Sequence, residues 1–112
     1  MRFEWDDEKN RRNLLKHDVR FETATLVFDD PYALTQPDPF SEEEERWITL
    51  GTVEAAVLLF VVHTWSEQDG EEIIRIISAR TATPRERKRY EEAQQRTKAG
   101  HRRHRREKRR RH

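Results

Sequence analysis

The 112-residue sequence contains no cysteine. That absence excludes a disulfide scaffold and any thiolate metal site. Glycine is scarce, at three residues, and no glycine-rich loop is present to cradle a nucleotide. The longest apolar stretch, "VEAAVLLFVV", is far too short to span a bilayer. The N-terminal "MRFEWDDEKN" is charged from its start and does not read as a signal peptide. A cytoplasmic protein with no membrane association is the expectation. Histidines stand at 17, 63, 101, 104 and 112, and none forms a metal motif; no Ser/His/Asp order stands out either. Neither a metal nor any other cofactor is called for.

Charge is abundant instead: 40% of residues are Asp, Glu, Lys or Arg, against 33% hydrophobic. The net charge of +1 hides two unlike parts. Residues 1–95 carry 13 Lys/Arg against 21 Asp/Glu, a net of −8; residues 96–112 carry 10 against 1, a net of +9. An acidic domain over 1–95 is thus followed by a basic tail over 96–112, a helical extension or a disordered arm. Such a block reads either as a solvated arm with no specific role or as one that attracts RNA or the ribosome.

The apolar residues concentrate between Trp47 and Ala79, enough for one small core. "RFEW" has the alternation of a short strand. Asp6 offers a helix N-cap, and Asp7 and Glu8 suit the first turn. That helix runs to about Lys16 and stops at His17-Asp18, where Asp tolerates the left-handed conformation. Its shared face of Asp6, Asn10, Asn13, Leu14 and His17 is unusually polar. "FETATLVF" predicts a second short helix, ended by Asp29-Asp30-Pro31. "YALTQPD" predicts an edge strand, because Pro37 forbids a central place; "PFSEEEE" is an acidic loop. "RWITLGTV", "AAVLLFVVHTW" and "EIIRIISAR" follow as strands, the middle one apolar on both faces and therefore central. Thr83-Pro84-Arg85-Glu86 is a capping box with proline at the first helical position, and it opens a helix with Tyr90 and Ala93 as its core candidates. The fold class is α+β: a small antiparallel sheet, helices to one side.

What remains for chemistry is cationic: Lys9, His17, Arg46, Arg75, Arg80, Arg87 and Arg89, with Tyr90. Each has an ordinary reading. Lys9 suits a solvated helix, His17 a helix C-terminus, Arg46 a strand entry, and Tyr90 the anchor of a polar helix. Arg75 suits a half-open strand and Arg80 a strand end. Together they suit phosphodiester chemistry, with arginine forks to neutralise phosphorane charge and histidine to move protons. Strand parity sets a condition. In a regular strand Ile73, Arg75, Ile77 and Ala79 share one face, and Ile74, Ile76, Ser78 and Arg80 the other. Either a bulge near Ser78 realigns the arginines, or Arg80 lies past the strand end, or only one of them belongs to a site.

"FEWDDEKNRRNLLKHDVRFETATLVFDD", "ERWITLG" and "RIISARTATPRERKRYEE", in that order, resemble the BrnT toxins of bacterial type II toxin–antitoxin systems. The resemblance covers nearly all of residues 1–92; the tail has no recognised counterpart. It implies a RelE-like fold, a small antiparallel sheet with two N-terminal helices packed on it and a C-terminal helix. It implies a metal-independent endoribonuclease that cleaves RNA with the ribose 2′-hydroxyl as nucleophile and so inhibits translation and growth. It implies a BrnA-type ribbon-helix-helix antitoxin as partner, a hetero-tetramer with it, and DNA contact only through it in co-repression of the operon. The motif residues carried over are Trp5, Asp6, Lys9, Asn13, His17, Arg46, Arg75, Ser78, Arg80, Glu86 and Tyr90. Of these, Lys9 and His17 are the candidates for proton transfer or phosphate contact. Arg46, Arg75 and Arg80 are the candidates for binding the scissile phosphate, and Tyr90 is a weaker catalytic candidate. One departure is Asp18, where the family usually carries glycine; it places a negative charge beside His17. The alternative is a catalytically weak or inactive toxin-like module that acts as an antitoxin-binding co-repressor or an RNA-binding adaptor.

Overall fold

The structure, a computed structural model, describes residues 1–42 and 45–110, with side chains for 1–42 and 45–97. Glu43 and Glu44 of the acidic loop, and Arg111 and His112 of the tail, lie outside the described residues. The elements are β1 (Arg2–Glu4), α1 (Asp7–His17), α2 (Phe21–Ala24), a 3-10 turn (Thr25–Asp29), β2 (Leu34–Pro37), β3 (Trp47–Thr52), a 3-10 turn (Glu54–Ala56), β4 (Leu58–Gln68), β5 (Glu71–Thr81) and α3 (Pro84–Arg110). They form an α+β fold on one five-stranded sheet of order β1-β5-β4-β3-β2.

Local chemistry sets the element ends. Asp6 accepts the Lys9 N–H at 3.0 Å as the N-cap of α1. Asp18 ends that helix at φ 56, ψ 34, its N–H donating to the Leu14 carbonyl at 2.9 Å. A positive φ is where glycine costs nothing and aspartate costs little. Asp69 and Gly70, at φ 51 and 80, form the two-residue turn that joins β4 to β5.

Three sequence expectations are corrected. β1 pairs with β5 in parallel, Arg2 opposite Ile73 and Glu4 opposite Arg75, so the sheet is mixed. A three-residue strand carries no signal of which edge it will join. The "FETATLVF" helix tightens to 3-10 geometry after Ala24, where Thr25 turns its hydroxyl back onto the Glu22 carbonyl. The helices do not all lie to one side. Val19, Phe21, Ala24 and Val27 pack on the first face with Leu59, Val61, Ile74, Ile76 and Ala79. Tyr90 of α3 packs on the second face with Leu50 and Leu58, flanked by Tyr32, Leu34 and Phe60. Gly51 permits the close approach on the first face: a Cβ there would meet Val27 Cβ at 2.7 Å and Val27 O at 2.9 Å.

β4 is central, as its continuous apolar run requires. At the outer end of β5, however, β1 is too short to pair. Asn13 of α1 fills that place. Its side-chain amide donates to the Ala79 carbonyl at 2.8 Å and its oxygen accepts the Ala79 N–H at 3.1 Å. The same amide donates to the Val19 carbonyl at 2.9 Å. The polar face of α1 is therefore a strand partner, satisfying backbone groups that burial would otherwise leave orphaned.

Candidate functional site

The β4–β5 ladder runs regularly from Leu59 opposite Thr81 to Val62 opposite Ser78, then skips: His63 faces Ile76 and Thr64 faces Arg75. Ile77 is the extra residue of a β-bulge. One inserted residue reverses the side-chain alternation beyond it. Arg80, opposite Phe60, and Arg75, opposite Thr64, therefore share the second face, since Phe60 and Thr64 stand four apart on β4. At about 3.3 Å per residue the two arginine positions are about 13 Å apart along the strand. They bracket a half-buried band formed by Val62, Thr64 and Ser78, with the buried Ile48 of β3 beside it. Position 46 directly precedes β3 and has the parity of Ile48 and Leu50, which puts it on the same face. Arg46 is half-buried, and its backbone carbonyl accepts the Asp38 N–H at 2.8 Å.

α3 closes one end of this band. Glu86 accepts both terminal nitrogens of Arg80, at 2.8 and 3.0 Å. Arg80 also lies over the Phe60 ring at 3.9 Å. Glu86 is at the same time the capping-box residue: it accepts the Thr83 N–H at 2.8 Å while Thr83 Oγ1 accepts the Glu86 N–H at 3.2 Å. One carboxylate thus starts the helix and fixes the arginine. The Arg80 fork holds the Glu86 carboxyl below the usual glutamate range, against burial, with help from the Thr83 N–H. A depressed folded pKa stabilises the fold above the unfolded value near 4.5 and loses that contribution as pH falls through the folded one. Glu86→Gln should therefore cost about 1 kcal/mol at pH 7, discounted for partial exposure. It should also flatten the fall in stability between about pH 5 and 2 relative to wild type. Urea melts across that range check it; parallel curves would sink it.

Farther along α3, Arg89 donates to Gln36 of β2 at 2.7 Å. Tyr90 is 4% exposed and donates its hydroxyl to Asp30. Burial and the Asp30 contact push the Tyr90 hydroxyl up to about 12, which makes it an anchor and a poor proton donor near neutrality. In the sequence Asp30 carries only the signal of a helix stop. It also accepts the Thr52 N–H and hydroxyl at 2.8 and 3.0 Å and the Tyr32 N–H at 2.9 Å. Burial raises its carboxyl, but those donors together outweigh burial and hold it below the usual range.

Lys9 and His17 lie elsewhere, on α1, which runs beside β5. Eight residues separate them, about 12 Å of helix, so they are not one acid–base pair. Lys9 is exposed and His17 half-buried. Lys9, His17, Arg75, Arg80 and Tyr90 make no hydrogen bond or ion pair with one another. Arg75 is exposed and contributes to lowering the Asp6 carboxyl, after the Lys9 backbone N–H, which is the largest cause. The structure therefore brings Arg75, Arg80 and position 46 to one face, attaches Tyr90 at its closed end, and leaves Lys9 and His17 on the flanking helix.

His63 is the one fully buried histidine among the described residues. Its Nδ1 faces the Thr64 carbonyl at 3.2 Å, which can only accept, so Nδ1 carries the proton. Nε2 then accepts from the Thr49 hydroxyl at 2.8 Å. Burial lowers its pKa, and Phe28 meets it edge-on at 5.0 Å. It is a neutral core residue. Among the described residues no group of three or more His, Asp or Glu is arranged to hold a metal ion. No helix among them is long and apolar enough to cross a membrane.

A family model described as "Ribonuclease toxin, BrnT, of type II toxin-antitoxin system" matches residues 5–86. No curated protein matches the chain. Among solved structures, the 1.1 Å crystal structure of the Brucella abortus ribonuclease toxin BrnT is similar, with a TM-score of 0.51 and 20% identity over 74% of this chain and 97% of that one. At that identity the likeness speaks to the fold.

Proposed function

The chain belongs to the BrnT family of ribonuclease toxins of type II toxin–antitoxin systems, and from that premise we propose that it cuts RNA on the second face of its sheet, without a metal ion. Membership of that family implies an antitoxin partner. The observation that carries the proposal is the bulge at Ile77, which puts Arg75 and Arg80 on one face. Two arginines on one face, with Arg46 on the same side, suit an RNA strand whose phosphates meet guanidinium forks. Arg75 is the exposed cation there and the first candidate for the scissile phosphate. Arg80, held by Glu86, is pre-oriented, and a phosphate approaching it competes with that carboxylate. The nucleophile is the ribose 2′-hydroxyl; Lys9 and His17 are the groups available from α1 for proton transfer or phosphate contact, and Tyr90 holds α3 in place. RNA cleavage inhibits translation and growth. A BrnA-type ribbon-helix-helix antitoxin neutralises the toxin in a hetero-tetramer, through which the pair contacts DNA and represses its operon in the cytoplasm. The acidic body, residues 1–95, is the toxin unit.

The engagement of Arg80 by Glu86 favours a second reading, in which the chain binds antitoxin as a co-repressor and cleaves RNA weakly or not at all. Purified protein with RNA in EDTA separates the two. Cleavage is expected in EDTA, with Arg75→Ala slowing it about tenfold, about 1.4 kcal/mol of transition-state stabilisation. Antitoxin binding with RNA left intact at high protein concentration supports the second reading and overturns the first.

A further inference from the structure

The family match ends at residue 86, and the Brucella structure, almost all of which is matched, corresponds to 74% of this chain. α3 nevertheless continues unbroken to Arg110. The basic block from 96 onward lies beyond the residues that the family model matches, carried on the same helix that closes the second face. Between Arg87 and Thr97 that helix is exposed except at Tyr90, Ala93 and Gln94.

Two features of the block point to its partner. It holds eight arginines and two lysines in 17 residues. Arginine's planar fork matches phosphate oxygens in a way that lysine's point charge does not. Its apolar content is one alanine, Ala99. A protein interface needs a desolvated apolar or aromatic centre, and this segment has none to offer; a phosphate backbone needs only cations. The arginines are also ordered. Arg89, Arg96, Arg103 and Arg110 recur every seven residues, an interval that returns to nearly the same side of a helix. The row begins at Arg89, whose guanidinium bonds Gln36 of β2 at the rim of the second face.

We propose that the C-terminal half of α3 is an RNA-tracking arm, in which the row Arg89–Arg96–Arg103–Arg110 binds phosphates along one strand and leads that strand to the second face. The choice of RNA as occupant rests on the ribonuclease reading above. The arm also supplies the attraction that the body lacks, since residues 1–95 carry a net of −8 and repel a polyanion.

The test uses the full chain and a single-stranded 2′-O-methyl RNA of about 20 nucleotides. That probe lacks the free 2′-hydroxyl, so binding is read apart from cleavage. Three proteins are compared by fluorescence anisotropy across a potassium chloride series: wild type, R96E/R103E/R110E, and K98E/R102E/R109E. The last makes the same charge change on roughly the opposite side of the helix. Circular dichroism confirms that all three fold alike. The row variant should bind about tenfold or more weaker than wild type, with its log–log salt slope reduced by about 2, from about 0.7 per lost phosphate contact. The opposite-side variant should lose clearly less. Equal losses in the two variants, unchanged binding in both, or tighter binding of duplex DNA than of the RNA would each overturn the proposal. So would a loss of antitoxin binding in the row variant with RNA binding intact. RNA binding through the row in a protein that cleaves no unmodified RNA keeps this proposal and removes the ribonuclease reading, so the two failures are distinct.

Discussion

Asp30→Ala should destabilise the protein by about 3 kcal/mol, lowering Tm by about 10–15 °C. Asp30 ties its own turn to two distant segments. Its carboxylate takes the backbone and hydroxyl of Thr52 from β3, the Tyr32 N–H that follows the 3-10 turn, and the Tyr90 hydroxyl from α3. Removing it strands the buried phenol and the Thr52 N–H, and hydrogen bonds to a charged acceptor contribute about 1.5–3 kcal/mol each before allowance for solvent. Asp30 is half-buried, which is why the expected sum is smaller than the separate contributions. Tyr90→Phe removes one donor and leaves the ring packed on Leu50 and Leu58, so it should cost about 1 kcal/mol. The double variant should show about 1 kcal/mol of coupling between the two. Alkali offers an independent check. The Tyr90 hydroxyl ionises near 10 when unfolded and at about 12 when folded. A raised folded pKa gives stability that is complete below pH 10 and lost as pH rises through 12. Wild type should lose stability in that window more steeply than Tyr90→Phe. An Asp30→Ala protein within 1 kcal/mol of wild type in urea would refute the assignment of Asp30 as the anchor of α3.

Asn13→Ala should cost a comparable amount, about 3 kcal/mol. The residue is 7% exposed and makes three hydrogen bonds, to the Ala79 N–H and to the Ala79 and Val19 carbonyls. Alanine leaves those backbone groups buried without partners, and a buried unpaired amide or carbonyl costs about 1–3 kcal/mol. Asn13→Asp is the sharper test. A carboxylate still accepts the Ala79 N–H, but it faces two carbonyl oxygens where the amide donated. Its pKa should rise in the fold, so the damage at pH 7 should ease as the pH falls and the carboxyl protonates. Hydrogen exchange at the Ala79 amide reports the same bond directly: protection should be lost in Asn13→Ala and partly kept in Asn13→Asp at low pH. An exchange rate at Ala79 equal in all three proteins would exclude the clamp.

The local features of this protein were legible in its sequence because their physics is local. Asp6 caps α1 through a residue three positions away, Asp18 turns left-handed on its own backbone, and Thr83, Pro84 and Glu86 start α3 within four residues. The unbroken apolar run of β4 required cover on both faces, which is a property of composition alone. The cationic set was legible as a list. Its arrangement was not, because strand parity depends on every residue between two positions, and the bulge at Ile77 is set by pairing with β4 rather than by anything in "IIRIIS" itself. Tertiary structure alone decided that β1 joins the free side of β5 in parallel, that α3 takes the face opposite α2, and that Asn13 completes a strand. It also turned Asp30 from a helix stop into the anchor of α3, and Glu86 from a cap into the partner of Arg80. Each of those outcomes is a contact between segments far apart in the chain, where the partner, and not the residue, determines which hydrogen bond is made.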